Sequence, residues 1–505
     1  MRFNSIDLTL GDVRGGIYKL LEPRPDDADN GADNDVDIDV AKNGGDFDVE
    51  GFTVREEALV GKLDRRIMPC LFGMIVLNYL DRNSLANARI QGIEQALGLS
   101  GSDFSTAISV FFVGYIGLQI PSNLLITRVR PSIYLPGCMI AWGFLSGASA
   151  FVTSFKGLVM VRFLLGFVEA PFFPGALFLL SSWYTRKELA LRTAILYAGS
   201  LLAGAFGGLV GASIEYFFNG FMGVESWRWL FMIEASCTIL LAISAMFILP
   251  DYPHSTRFLT PDERAIAMRR VQDQSGVKDS TKGSLMTGLK MALTDYKVWL
   301  LSLIIITKTS AGAVTSFIPT LVGTFGLGRV NTLLLVAPPY VCAAAMTLVI
   351  SRMSDRLGDR AYHIMGPMVL AALGFFFAAV TLNTAVRYLS LFLMLGGVYG
   401  SYNVALAWIS STLPRPVEKR SAAIAIINTM GNVAQIYSPY FYLPENGPRY
   451  LLAMVANVCF CAACIGVTVV LRKCLKQENE DLTRRKYDDG YDINEVDEIA
   501  YRYTL

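Results

Sequence analysis

The sequence predicts an all-α membrane protein in which twelve transmembrane helices form two halves of six. Hydrophobic residues make up 53% of the 505 residues and charged residues only 17%, whereas about one quarter of the residues of soluble domains are charged. Twelve stretches each supply about 20 mostly apolar residues, which is the length of helix that crosses about 30 Å of hydrocarbon. Basic residues collect in every second gap between these stretches, as the positive-inside rule requires of a chain that crosses each time.

The predicted helices fall into two groups on either side of one long hydrophilic gap. The first six occupy residues 67–88, 104–126, 133–153, 156–182, 192–217 and 229–249, and six more lie between Val298 and Leu471. We therefore expect one half at 64–249, a cytoplasmic central loop at 250–296 and a second half at 297–472. Two such halves are the repeat architecture of many secondary transporters.

The basic gaps predict the orientation of the chain. These gaps hold Arg128, Arg130, Arg186, Lys187, Arg192, the segment from Arg257 to Lys290, Arg352, Arg356, Arg360, Arg415, Lys419, Arg420, Arg472, Lys473 and Lys476. The alternate gaps hold little more than Arg89, Arg228, Arg329, Arg387 and Arg449. Because the basic side is cytoplasmic, both termini, including the tail at 473–505, are predicted to be cytoplasmic.

Two hydrophilic segments have a predicted structure of their own. Residues 1–63 are acidic and glycine-rich, which is too polar to bury a core and predicts disorder. In the central loop, Thr260-Pro261-Asp262-Glu263 is a capping box with proline at the first helical position. It predicts a short basic helix at the cytoplasmic membrane surface.

Several functions are not expected from this sequence. No nucleophile–base pair or metal-ligand cluster is apparent, and the eight cysteines lie mostly inside apolar spans, as small buried hydrophobes do. We therefore expect no enzyme activity, no catalytic residue, no metal and no cofactor. We also expect no nucleic-acid partner, and a monomer surrounded by lipid.

Five ionisable residues stand out inside the predicted spans: Asp81, Arg82, Arg162, Glu169 and Lys308. Such residues are costly in a membrane and normally face a cavity or a partner. From the helical rise, Asp81 and Arg162 lie at about the same depth, so they either pair or face one cavity. Glu169 follows Arg162 by seven residues, two helical turns, and is expected on the same face.

Lys308 is predicted near the middle of the membrane. The apolar cores of the later spans contain no Asp or Glu, so its partner must be the first half, solvent or a bound anion. An ion pair that braces the two halves and an anion contact both remain open. Asn78, Tyr79 and Asn432 belong to a set of polar residues that either line the same cavity and bind substrate or join helices by hydrogen bonds.

The charges together indicate a cavity for an anion. Three cations, Arg82, Arg162 and Lys308, stand against two acids, so protonation of either acid increases the positive excess. Arginine also binds a carboxylate through two parallel hydrogen bonds. A cavity that binds an anion more tightly when it holds a proton is the physical basis of proton–anion symport. A structural role remains the alternative for each acid.

Four motifs resemble those of the major facilitator superfamily, and more narrowly its anion:cation symporter branch, including fungal permeases for allantoate, nicotinate and pantothenate. They are residues 77–86 (LNYLDRNSLA), 121–123 (PSN), 162–175 (RFLLGFVEAPFFPG) and 181–184 (SSWY). The resemblance covers about residues 64–473 and implies the major facilitator fold. It also implies that Arg82 and Arg162 bind the substrate anion, while Glu169 and Asp81 bind protons.

A further motif, residues 351–360 (SRMSDRLGDR), resembles the loop motif of the superfamily. In the family this motif latches helices between conformations, and the resemblance assigns that role to Asp355, Arg356, Gly358 and Arg360. Asp359 stands where the family has arginine. The corresponding loop near residues 127–130 lacks the acid, so the latch is not expected in the first half.

We therefore predict a proton-coupled symporter of the plasma membrane that imports a small organic anion by alternating access. One alternative is efflux of an acidic metabolite, which the same charges would serve. Another is a nutrient sensor that has kept the transporter fold. A carboxylate is the expected substrate, with nicotinate, pantothenate, allantoate, a sugar acid and a small peptide all open.

Overall fold

A computed structural model describes residues 49–126, 129–253, 255–256, 258–275, 285–413, 417–488 and 503–504. The chain separates into Met1–Glu57 and Ala58–Leu505, and the account below concerns the second unit. Of the predicted disordered segment 1–63, residues 1–48 lie outside the described residues. Its end is helical, and Leu59 and Leu63 are buried, so the first helix begins earlier than the predicted boundary at residue 64.

A long helix is present at each of the twelve predicted positions. In chain order they are α1 Val49–Gln91, α2 Asp103–Ile126, α3 Pro131–Ala148, α4 Phe155–Trp183, α5 Arg186–Phe218, α6 Ser226–Ile248, α7 Tyr296–Gly323, α8 Arg329–Leu357, α9 Ala361–Val380, α10 Thr384–Thr412, α11 Val417–Tyr437 and α12 Leu451–Asp488. The described residues contain helices, turns and bends and no strand.

Nine of the described helices are long and apolar enough to cross a membrane, namely α3 to α10 and α12. The other three, α1, α2 and α11, stand at predicted spans one, two and eleven. Of these, α1 carries Asp81 and Arg82 within its apolar stretch, and charges inside a span oppose membrane burial. Arg82 lines the cavity described below.

The fourth helix is interrupted in its middle. It runs as Phe155–Glu169 and then Phe172–Trp183, because Pro171 has no N–H to donate and its ring crowds the preceding turn. The break leaves Arg162 and Glu169 together on the first segment. It falls inside the motif at 162–175.

Glycines bring α2 and α4 into backbone contact next to these residues. A Cβ on Gly114 would lie 2.3 Å from the carbonyl oxygen of Phe163, and one on Gly166 would lie 2.0 Å from that of Phe111. Only a residue without a side chain permits so close an approach, which is how small residues act in membrane helix packing. The contact places Phe111 against the face of α4 that carries Arg162.

The two halves meet at the end of the bundle where α1 ends and α2 begins. Gly204 and Gly208 of α5 lie against α8, since an added Cβ would lie 2.5 Å from the Tyr340 ring and 2.6 Å from the carbonyl oxygen of Leu333. Arg329 at the start of α8 pairs with Glu215 of α5 at 3.4 Å.

Polar contacts between α1 or α2 and the second half lie at the same end. The Ser105 hydroxyl donates to the Pro439 carbonyl at 2.9 Å, and Arg89 donates to the Thr320 hydroxyl at 3.2 Å. This closed end is opposite to the end at which α7 begins.

Two hydrophilic segments pack against the other end. The predicted helix of the central loop is present as Pro261–Ser275, and both capping-box bonds between Thr260 and Glu263 are formed, at 2.9 and 3.3 Å. Part of the tail returns as well: the indole of Trp408 donates to the Thr504 carbonyl at 2.9 Å.

Candidate functional site

A cavity of about 210 Å³ lies between the two halves. Helices α1, α2, α4 and α5 of the first half and α7, α8, α10 and α11 of the second contribute to its wall. The polar and charged residues that line it are Tyr79, Arg82, Asn83, Arg162, Tyr197, Ser200, Lys308, Thr309, Thr315, Ser316, Thr347, Tyr399, Tyr402, Asn403, Asn432 and Gln435. Three of the five intramembrane charges predicted from the sequence thus meet in one place.

Arg162 presents unused hydrogen-bond donors at this cavity. Its side chain is buried, with 3% exposed, and its Nε and Nη1 atoms have no hydrogen-bond partner among the described residues. Its guanidinium carbon lies 5.1 Å from the centre of the Phe111 ring. Guanidinium stays charged in proteins, and a buried charge without a partner is costly. The arrangement therefore favours an anionic ligand at Arg162.

Arg82 also lines the cavity, and it has partners. Its Nε donates to Glu169, with which it forms an ion pair. Aromatic rings surround the guanidinium carbon at 5.0 Å for Tyr79, 4.8 Å for Tyr115 and 5.4 Å for Phe111, which is the range of cation–π contact.

Glu169 itself is fully buried at 0% exposure. Its second oxygen, Oε2, has no hydrogen-bond partner in the described part of the chain. The carboxylate is therefore held mainly by Arg82. It lies behind that arginine rather than in the wall of the cavity, although it is on the predicted face of α4.

Lys308 is the cation that the second half contributes. It is 3% exposed, and its Nζ lies 4.1 Å from the centre of the Tyr402 ring. No acidic side chain forms an ion pair with it within the described ranges of the chain. An ionic brace between Lys308 and the first half is thus absent from this conformation, and the lysine faces the cavity beside an aromatic ring.

The formal charge of the cavity follows from these contacts. Glu169 neutralises Arg82, whereas Arg162 and Lys308 have no acidic partner among the described residues. Two cations without an ion pair among the described residues thus line the cavity from opposite halves. Such a cavity attracts an anion, because the low-dielectric wall strengthens the interaction.

The three polar residues predicted to contact substrate are placed differently. Tyr79 and Asn432 line the cavity, from α1 and α11. Asn78 does not: it is buried at 1% exposure, and its Nδ2 atom lacks a partner among the residues that the structure describes.

Asp81 lies outside the cavity and does not pair with Arg162. It accepts hydrogen bonds from Ser146 Oγ at 3.0 Å, Thr238 Oγ1 at 3.1 Å and Trp142 Nε1 at 3.2 Å. The helical rise predicted only the depth of Asp81 in the membrane, not the side of α1 on which its side chain lies. Consecutive residues point about 100° apart on a helix, so Asp81 faces α3 and α6 while Arg82 faces the cavity.

Glu234, a further acid inside the sixth span, is not among the residues predicted for the site. It is 3% exposed and contacts the Ser84 hydroxyl of α1. The sequence does indicate it, since an acidic residue within the predicted span 229–249 is as unusual as the other charges inside the spans. Tyr402 was also missed, but a tyrosine in an apolar span carries no signal that distinguishes a cavity residue from a packing residue.

An ion pair within the loop motif joins the end of α8 to the start of α9. Arg360 pairs with Asp355 at 2.6 Å, and Gly358 ends α8 with a φ of 66°, a conformation that favours glycine. Asp359, the departure from the motif, pairs with Arg472 of α12 at 3.4 Å. Arg356 is exposed. Asp359 thus connects the loop to α12.

Comparison with known proteins supplies independent findings. A family model described as Major Facilitator Superfamily matches residues 71–439. The MFS-type transporter cnsO of Penicillium expansum is 32% identical over 417 residues, 79% of this chain and 79% of that protein. A putative tartrate transporter of Agrobacterium vitis is 32% identical over 387 residues, 76% of this chain and 87% of that protein.

A solved structure also resembles this fold. It is a bacterial homologue of the human lysosomal transporter Spinster, in an inward-facing and unoccupied conformation, with a TM-score of 0.65 and 17% identity. The alignment covers 81% of this chain and 96% of that one. At this identity the likeness concerns the fold alone.

Proposed function

The chain belongs to the major facilitator superfamily of membrane transporters and is not an enzyme, and from this premise we propose that it imports a small organic anion together with protons. The observation that carries the proposal is Arg162, a buried guanidinium in the wall of the central cavity, whose Nε and Nη1 have no hydrogen-bond partner among the described residues. Lys308 adds a second uncompensated cation from the opposite half.

The substrate class follows from the two cations. A carboxylate accepts two parallel hydrogen bonds from a guanidinium, and a second anionic or polar group on the same molecule can reach Lys308 across the cavity. A small dicarboxylate or hydroxy acid therefore fits better than a monovalent apolar acid. The putative tartrate transporter among the relatives supports this class, and a cavity of about 210 Å³ suits a molecule of that size.

Coupling to protons is assigned to Glu169. While ionised, Glu169 holds Arg82 in an ion pair. Protonation removes that charge and leaves Arg82, Arg162 and Lys308 as three free cations around the anion. Proton and anion then each increase the affinity for the other, because binding free energies are reciprocally linked.

Transport requires the cavity to open to each side in turn. The halves 64–249 and 297–472 would rock about the cavity. This motion would break the contacts that join the halves at the closed end, namely those of Gly204, Gly208, Ser105 and Arg89. By the positive-inside rule that end faces outward, with both termini in the cytoplasm. In this orientation, the conformation described here would be the one that is closed on the outer side.

The finer assignments rest on the motifs. We place the chain in the anion:cation symporter branch, near the allantoate, nicotinate and pantothenate permeases, and in the plasma membrane as a monomer. Support comes from residues of two motifs, Arg82 and Arg162, which line the cavity. Asp355, Arg356, Gly358 and Arg360 are assigned to a latch at the cytoplasmic side of the second half.

The test is uptake by purified protein in liposomes. Labelled L-tartrate, nicotinate, pantothenate and allantoate are supplied outside, with the lumen alkaline, at the external pH or acidic. We expect accumulation of at least one dicarboxylate or hydroxy acid only with the alkaline lumen. Accumulation driven by the reverse gradient would indicate efflux, and binding without movement would indicate a sensor; either result would overturn the proposal.

A further inference from the structure

Two buried acids lie close together outside the cavity, between α1, α3 and α6. Asp81 of α1 and Glu234 of α6 are 1% and 3% exposed. Thr238, one turn after Glu234, donates to Asp81 at 3.1 Å, and Ser84, three residues after Asp81, contacts Glu234. The two acids thus belong to one hydrogen-bonded group that joins α1 to α6.

The two carboxyl groups differ in their supply of donors. Asp81 accepts three hydrogen bonds, from Ser146, Thr238 and Trp142, and hydrogen bonds from several donors favour the charged form of a carboxyl group. Glu234 contacts only the Ser84 hydroxyl, and its Oε1 atom is buried without a hydrogen-bond partner among the described residues. If one of the acids carries a proton, it is Glu234.

The hydrogen of Ser84 leads to the same assignment. A serine hydroxyl has one hydrogen to donate, and Ser84 Oγ lies 2.8 Å from the carbonyl oxygen of Leu80, which can only accept. Ser84 is placed to donate to either oxygen, but its one hydrogen can serve only one of the two contacts, so both are hydrogen bonds only if Glu234 carries a proton. A protonated Glu234 donates through Oε2 to Ser84, and Ser84 donates to Leu80.

No cation in the described part of the chain compensates a charge on Glu234. Arg82 of α1 pairs with Glu169 at the cavity. Arg228, the other charged residue of α6, pairs with Glu225 at 3.4 Å and donates to the Ala150 carbonyl at 2.5 Å.

No ion pair in the described part of the chain joins Glu234 to a cation of α3 or α5; Arg192 of α5, for example, pairs with Asp64 at 2.6 Å. The sequence of α3 contains no charged residue, and its titratable groups are Tyr134 and Cys138. From α5, Glu215 is an acid that already pairs with Arg329. Two adjacent buried carboxylates without a cation would repel each other.

We propose that Glu234 is a proton-binding site of the first half, distinct from the substrate cavity, whose proton leaves Asp81 as the single fixed anion between α1, α3 and α6. Loss of this proton would place two anions across the α1–α6 contact. Because α1 also carries Arg82 at the cavity, a change in the protonation of Glu234 can alter the binding of substrate through α1. That consequence rests on the proposed function, whereas the proton-binding site itself does not.

The experiment is infrared spectroscopy of the purified full chain at neutral pH, without substrate and without a pH gradient. We expect the C=O stretching band of protonated carboxylic acid to lose the intensity of one group in Glu234→Gln. Glu215→Gln is the matched control, since Glu215 is a buried glutamate of the neighbouring helix that pairs with Arg329. It should leave the band unchanged.

Ser84→Ala provides the second variant. It removes the acceptor of the Glu234 proton, so the band should shift in frequency without losing intensity, and this readout stands even if Glu234→Gln does not fold. An identical band in Glu234→Gln and the parent would overturn the proposal, as would a band unmoved in Ser84→Ala. Loss of the band when sodium replaces choline at constant pH would also overturn it, in favour of a sodium site. The infrared experiment does not depend on transport, so a failure of anion uptake in liposomes would contradict the proposed function without contradicting the proton-binding site at Glu234.

Discussion

At the scale of single residues, the two halves contribute different chemistry to the cavity. Arg162 offers a planar group with two unused donor atoms, which sets the orientation of a bound carboxylate. Lys308 offers a point charge beside the Tyr402 ring, which tolerates several anion geometries. We infer that Arg162 determines whether a carboxylate binds and that Lys308 adjusts how tightly the rest of the molecule is held.

Arg162→Lys should therefore lose most transport although it retains the charge. Lysine cannot form two parallel hydrogen bonds to one carboxylate, so we expect initial uptake to fall at least tenfold. The measurement is uptake of the labelled anion by liposomes that contain equal amounts of inserted protein. Arg484→Lys, at an exposed arginine near the end of α12, is the control and should transport normally. Near-normal uptake by Arg162→Lys would contradict the anion-binding role.

Lys308→Met should weaken substrate affinity more than it weakens folding. No ion pair to Lys308 exists in the described part of the chain, so its removal leaves no carboxylate without a partner, while a bound anion loses a cation. We expect the dissociation constant to rise at least tenfold with little change in melting temperature. Both are measured on the same purified variant. A large drop in melting temperature with unchanged affinity would instead indicate a brace between the halves.

At the scale of helices, the approach of α2 to α4 determines where Arg162 lies. Gly114→Ala would bring a Cβ to 2.3 Å from the Phe163 carbonyl oxygen, and such overpacking typically costs about 1–3 kcal/mol. Gly117→Ala on the same helix, where nothing lies within 4 Å of the added Cβ, is the matched control. We expect a lower melting temperature and lower uptake only for Gly114→Ala. Equal effects of the two substitutions would show that the close approach is unimportant.

The central-loop helix should respond to pH through Glu263. The side chain of Lys62, which donates at 2.8 Å, and the backbone of Thr260 hold the pKa of Glu263 below its ordinary value of 4.5. A lowered folded-state pKa gives stability that is present above pH 4.5 and is lost as the pH falls through the folded value. For such an exposed pair we expect about 0.2–1 kcal/mol.

Glu263→Gln isolates this contribution, because glutamine keeps the capping box but removes the ion pair with Lys62. Hydrogen exchange of Pro261–Ser275 should be faster in the variant than in the parent at neutral pH, and the difference should vanish at strongly acidic pH. A difference that persists after acidification would assign the effect to something other than the ionised carboxylate.

At the scale of the whole molecule, the sequence predicted the number and order of the long helices, because each is an apolar stretch with its own boundaries. It also predicted Arg82, Arg162 and Lys308 at one site, since charges in apolar spans must share a cavity or a partner. The direction of Asp81 was not predictable, because two adjacent residues on one helix face different neighbours. The approach of Gly166 to Phe111 depends on a pairing between helices that a single sequence does not encode locally.

The central claim, that an anion and a proton move together, is tested most directly by following protons when only the anion gradient is imposed. Liposomes containing the protein and a pH-sensitive dye, initially at one pH on both sides, receive the transported anion outside. We expect the lumen to acidify with the parent protein, and to remain at its initial pH with Glu169→Gln, which should still exchange labelled anion across the membrane. Anion entry without acidification in the parent, or undiminished acidification in Glu169→Gln, would contradict the account.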